Sequence, residues 1–542
     1  MEDIYYNGKI ITMEDADGTQ AMLNAPEAVF IKDGIIHAVG TLEEIKQAAS
    51  PRAKYIDLQG KCMMPAFIDS HSHICMTGQL ALCASLSDCT SYGEIVQALK
   101  QYIAAKNIKQ NGGVIGFGYD HNFLREEGHP DKQILDQVST EIPIFILHIS
   151  AHLACANSKA LELANIDANT PNPEGGVIGR LPDGKEPSGY LEETGMSLVQ
   201  KAVMGRVKIN VSAVMAGMQE TYIKNGITTV QEGAASKSNI ETLHAMSLAD
   251  RLKIDVVAYP LMSDGGSEII GKYKSLNRKY KNRLKIGGYK LVLDGSPQGR
   301  SAWMSTPYLG GEPDYCGYPW MPDEQVEQFV EQAISEGQQL LAHCNGDAAS
   351  EQFLNAYEKA LIKTGSSEDL RPVMIHCQTV QNDQLSRTYK LHMIASIFIG
   401  HVWYWGDVHL KNFGPGRGNH ISPVKDAMDR GVLVNFHQDT PVTKPDMLHS
   451  VWCAVNRISR NGTHIGDEQK ISVYDALKAV TLNAAYEYFE ENSKGSIKTG
   501  KRADLVILDD SPLEKDPLKI KDITVLNTIK DGSIIYTLKD AP

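Results

Sequence analysis

The chain has 542 residues, of which 42% are hydrophobic, and this is enough for a full hydrophobic core and for more than one structural domain. Its 53 basic and 66 acidic side chains give a net charge of −13 without any Lys/Arg-rich run, which argues against nucleic-acid binding. No apolar run approaches the roughly 18 residues of a membrane span, and the N-terminus lacks a signal-peptide pattern, so we expect a cytoplasmic protein without a membrane partner.

Both ends of the chain have the alternating apolar and polar pattern of antiparallel strands, with Asn-Gly and Asp-Gly turns between them. The pattern covers residues 3–12, 28–39, 54–58, 503–508 and 532–536. We therefore expect residues 1–64 and 491–542 to pair into one small β-sandwich.

The first strand of a central domain is predicted within residues 65–77, where an apolar run ends in His71 and His73. Alternate side chains of a strand share a face, so both imidazoles would point the same way and could bind one metal ion.

A long insertion follows this strand, from about residue 78 to residue 211. It has its own apolar runs at 113–119 and 143–148 and a Gly/Pro-rich stretch at 170–189. A structureless loop of that length would be unusual in a compact protein, so a folded lid or subdomain is predicted.

The remainder of the chain alternates between short apolar strands and segments with helical spacing. Strands are predicted at residues 226–233, 253–260, 289–294, 339–343, 372–376, 393–401 and 432–439. Helices are predicted at 211–224, 239–252, 323–336, 350–362 and 423–430. With the first strand this makes eight strands, which favours the α/β class and a (β/α)8 TIM-like barrel built from residues 65–77 and 212–490.

Several predicted strands end in a residue that can bind metal or transfer a proton. Because the carboxyl ends of all strands in such a barrel meet at the active-site face, we expect these residues to converge. The predicted metal ligands are His71, His73, Lys290, His343, His376 and Asp439. This nitrogen and oxygen set suits zinc or a similar divalent ion, and one or two ions would fit.

Lys290 leaves two interpretations open. A buried ammonium is costly unless it loses its proton, and a neutral lysine can be carbamylated by carbon dioxide. Alternatively, a single ion binds His71, His73, His343 and Asp439, and Lys290 contacts the substrate.

The predicted chemistry is attack of an activated water on a carbonyl carbon. Asp439 would accept the proton of the water and pass it to the departing nitrogen, and His376 is assigned to the catalytic set as well. The alternative for Asp439 is a turn residue, which the sequence Asp-Thr-Pro also suits.

Further residues are predicted to contact the substrate, each with a plain structural role as its alternative. They are His152, Arg300, His401, Asp120 and Trp405.

Phe67-Ile-Asp-Ser-His-Ser-His73 with Lys290, His343, His376 and Asp439 resembles the amidohydrolase superfamily. Finer matches resemble amidohydrolase family 3, the branch that includes N-substituted formamide deformylases. These matches are His152 with Asn157–Leu161, and residues 175–180, 290–296, 343–347, 404–407, 438–442 and 454–457. Residues 494–508 resemble the return of the superfamily's chain into its β-sandwich. The resemblance covers essentially the whole chain.

The resemblance implies a carboxylated Lys290 that bridges two metal ions, a small-molecule substrate and a homodimer. Hydrolysis of a C–N bond in an amide, formamide or N-acyl compound is the function that the residues and the resemblance favour. The alternatives are a hydrolytic deaminase with a mononuclear site and a catalytically silent regulatory relative. The substrate itself cannot be predicted, since specificity would depend on the loops and the insertion.

Overall fold

The computed structural model describes residues 2–80, 82–149, 153–173, 176–207, 211–310 and 312–539, with 211–213 described by their backbone. The chain forms two compact units. The discontinuous unit consists of Met1–Ile74 and Gln219–Pro542, and the inserted unit is Cys75–Met218. In the described ranges, no helix has the length and apolar character needed to cross a membrane.

Two parallel sheets form the centre of the discontinuous unit. The first has the strand order Leu284–Ile286, Asp255–Pro260, Ile227–Ala235 and Phe67–Ile68. The second has the order Gly288–Val292, Gln339–Cys344, Val373–His376, Ile394–Ile397 and Val434–Phe436. These strands are almost continuously buried, which is the pattern of parallel strands covered on both faces.

Helices alternate with the strands of these sheets, so the fold is of the α/β class. The helices of this unit are Gly18–Leu23, Leu42–Ala48, Lys237–Leu248, Gly266–Lys272, Asp323–Ser335, Asp347–Thr364, Asn382–Lys390, His401–Asn419, Val424–Asp429, Met447–Asn456, Val473–Ala479 and Leu482–Glu487. Short 3₁₀ turns cover Met262–Asp264, Lys274–Leu276, Asp467–Gln469 and Pro517–Asp522. The helix Asp323–Ser335 illustrates the packing, because Val326, Val330 and Ile334 lie on one buried stripe.

Two further sheets combine segments from the chain ends. One has the order Ile35–Gly40, Ala28–Lys32, Glu2–Tyr6 and Lys54–Asp57. The other has the order Lys9–Ile10, Cys62–Pro65, Leu505–Leu508, Val525–Lys530 and Ser533–Thr537. Their apolar side chains, among them Tyr5, Val29, Met63, Leu505 and Ile529, form one buried cluster.

The inserted unit is built on one mixed sheet. Its order is Gly176–Arg180, Pro187–Glu193, Leu153–Ala156, Ile144–His148, Val114–Tyr119 and Ala84–Ser85. Its helices are Ile74–Leu80, Tyr92–Lys106, Lys132–Asp136, Ser158–Leu163, Thr194–Met204 and Val211–Ile223, the first and last of which continue into the discontinuous unit. Two buried clusters flank the sheet.

Some predicted strands are too long. The seventh predicted strand ends at Ile397, and His401 is the first residue of a helix rather than the last residue of a strand. The run was misjudged because Phe398 and Ile399 stay in the core after the strand has ended, and apolar runs do not distinguish such turns from strands. Likewise, His71 and His73 follow the strand Phe67–Ile68, and Asp439 follows Phe436, instead of lying within the strands.

Candidate active site

His71 and His73 are held beside Asp439 by the backbone. The amide of Asp439 donates to the carbonyl of His71 at 3.2 Å, and the amide of His73 donates to the carbonyl of Thr440 at 2.7 Å. Nε2 of His73 consequently lies 3.1 Å from Oδ1 of Asp439, and Nε2 of His71 lies 3.6 Å from the same oxygen. One ligand atom of each residue lies within 4.8 Å of the other two, which is close enough for a shared metal ion.

Lys290 points into the same group from the strand Gly288–Val292. Its Nζ lies 3.2 Å from Nε2 of His71, and the residue is only 1% exposed. Burial lowers the pKa of Lys290 to about 8, so the neutral amine is accessible near physiological pH.

His343 and His376 form the other half of the cluster. Nε2 of His376 lies 3.0 Å from Nδ1 of His343, and the rings of His71 and His376 have their centroids 5.7 Å apart. Each imidazole is near the carboxyl end of its strand, Gln339–Cys344 or Val373–His376, and these strands are parallel neighbours. The structure therefore brings all six predicted ligands into one connected cluster.

Two backbone positions in this cluster are unusual. His376 has a φ of 74° and Asp439 a φ of 52°, in the left-handed region that residues other than glycine rarely adopt. Such conformations cost of the order of 1–3 kcal/mol each and often occur at functional sites, where the surrounding structure holds them in place.

Gln231 fixes the orientation of His71. Its Nε2 donates to the carbonyl of Ser70 at 2.6 Å, so its Oε1 is the acceptor that faces Nδ1 of His71, also at 2.6 Å. His71 then carries its proton on Nδ1 and directs the lone pair of Nε2 toward Lys290 and Asp439. His343 is held similarly, because its Nε2 lies 3.2 Å from the carbonyl of Gly295 and leaves Nδ1 as the ligand atom.

Burial determines the charges of the cluster. It lowers the pKa of His71 and His376 well below the usual value, and that of His343 to about 4. Burial alone would raise the pKa of Asp439, but the hydrogen bond from His73 and the nearby imidazoles hold it well below its usual range. At neutral pH His71, His343 and His376 are therefore neutral and Asp439 is an ionised carboxylate. The residues fit a divalent metal ion, since these are the protonation states that coordinate one.

The predicted substrate-contacting residues have different surroundings. Nδ1 of His401 lies 3.0 Å from Nε2 of His409, and the ring centroids of His401 and Trp405 are 4.6 Å apart. Arg300 lies in a turn, where its Nε donates to Oδ1 of Asn412 at 2.9 Å. Asp120 belongs to the inserted unit, and His152 lies outside the described residues.

The sequence analysis missed two buried residues of this site. His437 lies between Ser396 and His376, with its Nε2 3.2 Å from Nδ1 of His376. Strand alternation could have indicated it, because it precedes Asp439 by two positions. Gln231 is a polar residue in an otherwise apolar strand, which was a weaker signal.

The comparisons with known proteins all point to one family. The model of the amidohydrolase family matches residues 54–536. The Bacillus subtilis protein YtcJ is 29% identical over 556 residues, covering 99% of both chains. The N-substituted formamide deformylase of Arthrobacter pascens is 26% identical over 536 residues, covering 94% of this chain and 95% of the deformylase.

A solved structure is also similar over nearly its whole length. It is an uncharacterized metal-dependent hydrolase from Pyrococcus horikoshii, with a TM-score of 0.74 and 26% identity over 95% of this chain and 99% of that one. The likeness implies an α/β fold of the TIM-barrel type. The chain belongs to the amidohydrolase family and is a hydrolase that acts on carbon–nitrogen bonds other than peptide bonds.

Proposed function

We propose that the protein hydrolyses the C–N bond of an amide, a formamide or another N-acyl compound at a zinc centre. The observation that carries the proposal is the convergence of His71, His73 and Asp439, whose ligand atoms lie within 4.8 Å of one another, with Lys290 beside them. The similarity to N-substituted formamide deformylase supports the choice of bond.

The proposed ligands are His71, His73, Lys290, His343, His376 and Asp439. A divalent ion bound there supplies Lewis acidity, which acidifies a water molecule and polarises a carbonyl oxygen. The buried Lys290 with its lowered pKa supports carboxylation, because the neutral amine is the form that reacts with carbon dioxide. In this proposal a carboxylated Lys290 would help to hold two ions together with the other ligands, and the alternative is one ion with Lys290 as a substrate contact.

Asp439 is the proposed proton carrier. Its carboxylate is ionised, it lies 3.1 Å from His73, and its side chain remains 14% exposed, so a water molecule can reach it. It accepts the proton of the attacking water and passes it to the nitrogen of the substrate as the C–N bond breaks. His376 borders the reaction site and is oriented by its contacts with His343 and His437.

The architecture that we propose is a closed (β/α)8 barrel, in which Leu284–Ile286 and Gly288–Val292, separated by Gly287 alone, count as one strand. Ser70, just after the edge strand of one parallel sheet, donates to Oδ1 of Asn435 and to the carbonyl of Phe436 on the edge strand of the other, both at 2.9 Å. These contacts support closure between the first and last strands. We propose a sandwich of residues 1–64 and 491–542, an insertion at 78–211, and a barrel of 65–77 and 212–490.

The substrate pocket is proposed to include His401 and Trp405, which form a buried aromatic pair after the seventh strand. Arg300 is a further proposed contact, whereas Asp120 and His152 stay predictions from the sequence alone. We further propose that the substrate is a small molecule and that the protein is a homodimer.

The proposal is tested by screening N-formyl and N-acyl amines with the zinc-loaded protein. We expect release of the free amine by the wild type and none by the variant His71→Ala/His73→Ala. The matched control is His464→Ala, whose side chain is 56% exposed, and this variant should retain full activity. Turnover of ring amines instead of acyl amines would overturn the proposal in favour of a deaminase. Turnover by His71→Ala/His73→Ala would show that this cluster is not the active site.

A further inference from the structure

A second group of metal-binding residues lies in the inserted unit. The strands Val114–Tyr119 and Ile144–His148 are parallel neighbours, so their carboxyl ends meet at the same edge of the sheet. His148 is the last residue of its strand, and Asp120 directly follows the other. His121 continues from Asp120 into a turn. The arrangement thus places three potential ligands at one sheet edge.

The ligand atoms of these residues converge. Nδ1 of His121 lies 3.2 Å from Nε2 of His148, and Oδ1 of Asp120 lies 3.5 Å from the same nitrogen of His148 and 3.8 Å from Nδ1 of His121. Asp120 and His148 are buried, whereas the side chain of His121 is 31% exposed. The group is therefore enclosed on most sides and open on one.

Neighbouring residues hold this geometry. Oδ1 of Asp120 accepts hydrogen bonds from the amide and from Nδ2 of Asn122, both at 2.9 Å. The ring of His129 stacks on His121 at 4.3 Å, and Nδ1 of His129 lies 3.0 Å from the hydroxyl of Tyr119. Partners of this kind orient the ligands in metal sites.

The charges of the group also suit a cation. Burial lowers the pKa of His121, so that its imidazole is neutral at physiological pH. Burial alone would raise the pKa of Asp120, but hydrogen bonds from His148 and Asn122 lower it to about 2. An ionised carboxylate beside imidazole nitrogen is the arrangement that coordinates a divalent ion.

We propose that Asp120, His121 and His148 bind a divalent transition-metal ion of the zinc class in the inserted unit. Two imidazoles and one carboxylate favour such an ion over magnesium or calcium, which prefer oxygen ligands. Three protein ligands leave at least one coordination position for a water molecule or a ligand atom. This site does not depend on the function proposed for the cluster around His71.

The test uses the full chain in the background His71→Ala/His73→Ala/His343→Ala/His376→Ala, which removes every histidine ligand proposed for the first site. After removal of metal and dialysis against zinc, elemental analysis should find about one equivalent of zinc per chain. Addition of His121→Leu or Asp120→Ala, which leave no ligand atom at the position, should abolish this equivalent, and cobalt should give a ligand-field absorption spectrum in the background that both variants lose. His121 is partly exposed, so loss of folding is not expected for His121→Leu.

The matched control is Asp183→Ala, which changes an exposed residue of the same unit and should leave the zinc equivalent unchanged. Circular dichroism of the metal-free proteins checks that each variant is folded. The proposal is overturned if the background binds no zinc, or if its zinc survives either His121→Leu or Asp120→Ala.

Discussion

Gly233 packs directly against the imidazole of His71. A Cβ atom at position 233 would lie 2.3 Å from Cε1 and 2.5 Å from Nδ1 of His71, and 2.8 Å from Oε1 of Gln231. These distances are far below van der Waals contact, so any side chain at this position must displace the ring. The glycine is therefore required by the position of a predicted metal ligand rather than by its own backbone conformation.

Gly233→Ala should accordingly reduce turnover on the order of 100-fold, because a misplacement of about 1 Å in an active site has an effect of this size on rate, and it should weaken zinc binding because it displaces the ring of His71. The measurement is zinc titration of the metal-free protein followed by activity assays. Gly271→Ala is the control, since no atom lies within 4 Å of its added Cβ. Equal zinc affinity in Gly233→Ala and the wild type would show that His71 is not a ligand.

Gln231→Leu should weaken zinc binding by about 10-fold to 100-fold, the usual effect of removing a partner that orients a metal-bound histidine. Leucine has a similar volume but cannot accept the proton of Nδ1 of His71, so the tautomer that directs Nε2 into the site loses its support. Zinc competition with a chelator measures the effect. Gln47→Leu, at an exposed helix position, should bind zinc like the wild type, and an unchanged affinity in Gln231→Leu would contradict the role of the hydrogen bond.

The order of most parallel strands was predictable because it depends on local patterns, whereas the strand Leu284–Ile286 and the helix His401–Asn419 were not predicted. The helix predicted at 323–336 is Asp323–Ser335, and the strand predicted at 372–376 is Val373–His376. In these segments the spacing of apolar residues in the sequence agrees with the burial of the same residues in the structure. His343 and His376 could be named for the same reason, since each is a polar residue at or near the end of an apolar strand, and Lys290 could be named because it is a charged residue within one.

Contacts between distant residues were not predictable. Gln231 and His71 are 160 residues apart, and Gln231 and Glu487 are 256 apart, so no spacing in the sequence encodes these hydrogen bonds. The left-handed backbone of His376 and Asp439 gave no signal either, because neither residue is glycine. Such features arise from tertiary packing, which a local pattern does not contain.

Asp439→Asn should retain zinc and lose turnover by about 10²-fold to 10⁴-fold, the usual contribution of a general acid–base group. An amide cannot accept the proton of the attacking water, although its oxygen can still bind a metal ion. Elemental analysis and kcat measure the two properties separately. The control is Asp429→Asn, which changes an exposed helix residue. An active Asp439→Asn enzyme would rule out the proton-carrier role. An Asp439→Asn enzyme without zinc would support only a role of Asp439 as a metal ligand.

Lys290→Ala should lose zinc, because the variant lacks the group that is proposed to bridge two ions. Short carboxylic acids such as acetate or propionate should restore part of the metal content and activity by occupying the space of the carboxylated side chain. The control, Lys279→Ala at an exposed position, should keep its zinc, and added carboxylic acids should not change its activity. Full zinc content in Lys290→Ala without added acid would instead favour the mononuclear site.

Asp255 is the centre of a buried ion-pair network away from these ligands. Its Oδ2 accepts hydrogen bonds from Nζ of Lys494 and Nζ of Lys530, each at 2.6 Å, and Lys530 also donates to Asp504. The side chains of Asp255, Lys494 and Lys530 are at most 2% exposed. Asp255→Asn should therefore lower the free energy of unfolding by up to about 3–5 kcal/mol, because it removes the carboxylate that Lys494 and Lys530 share and leaves each lysine with only its second counterion, Glu490 or Asp504.

The effect of Asp255→Asn on the free energy of unfolding should depend on pH. Burial alone would raise the pKa of Asp255, but Lys494 and Lys530 lower it far below its ordinary value of 3.8. The stabilising contribution is therefore present above about pH 3.8 and is lost as the pH falls through the pKa of the folded protein. Urea denaturation at several pH values should show the difference between wild type and Asp255→Asn shrinking in acid. The control Asp522→Asn, at an exposed position, should have the same free energy of unfolding as the wild type at each pH. If the loss of stability in Asp255→Asn is independent of pH, packing rather than charge holds the network together.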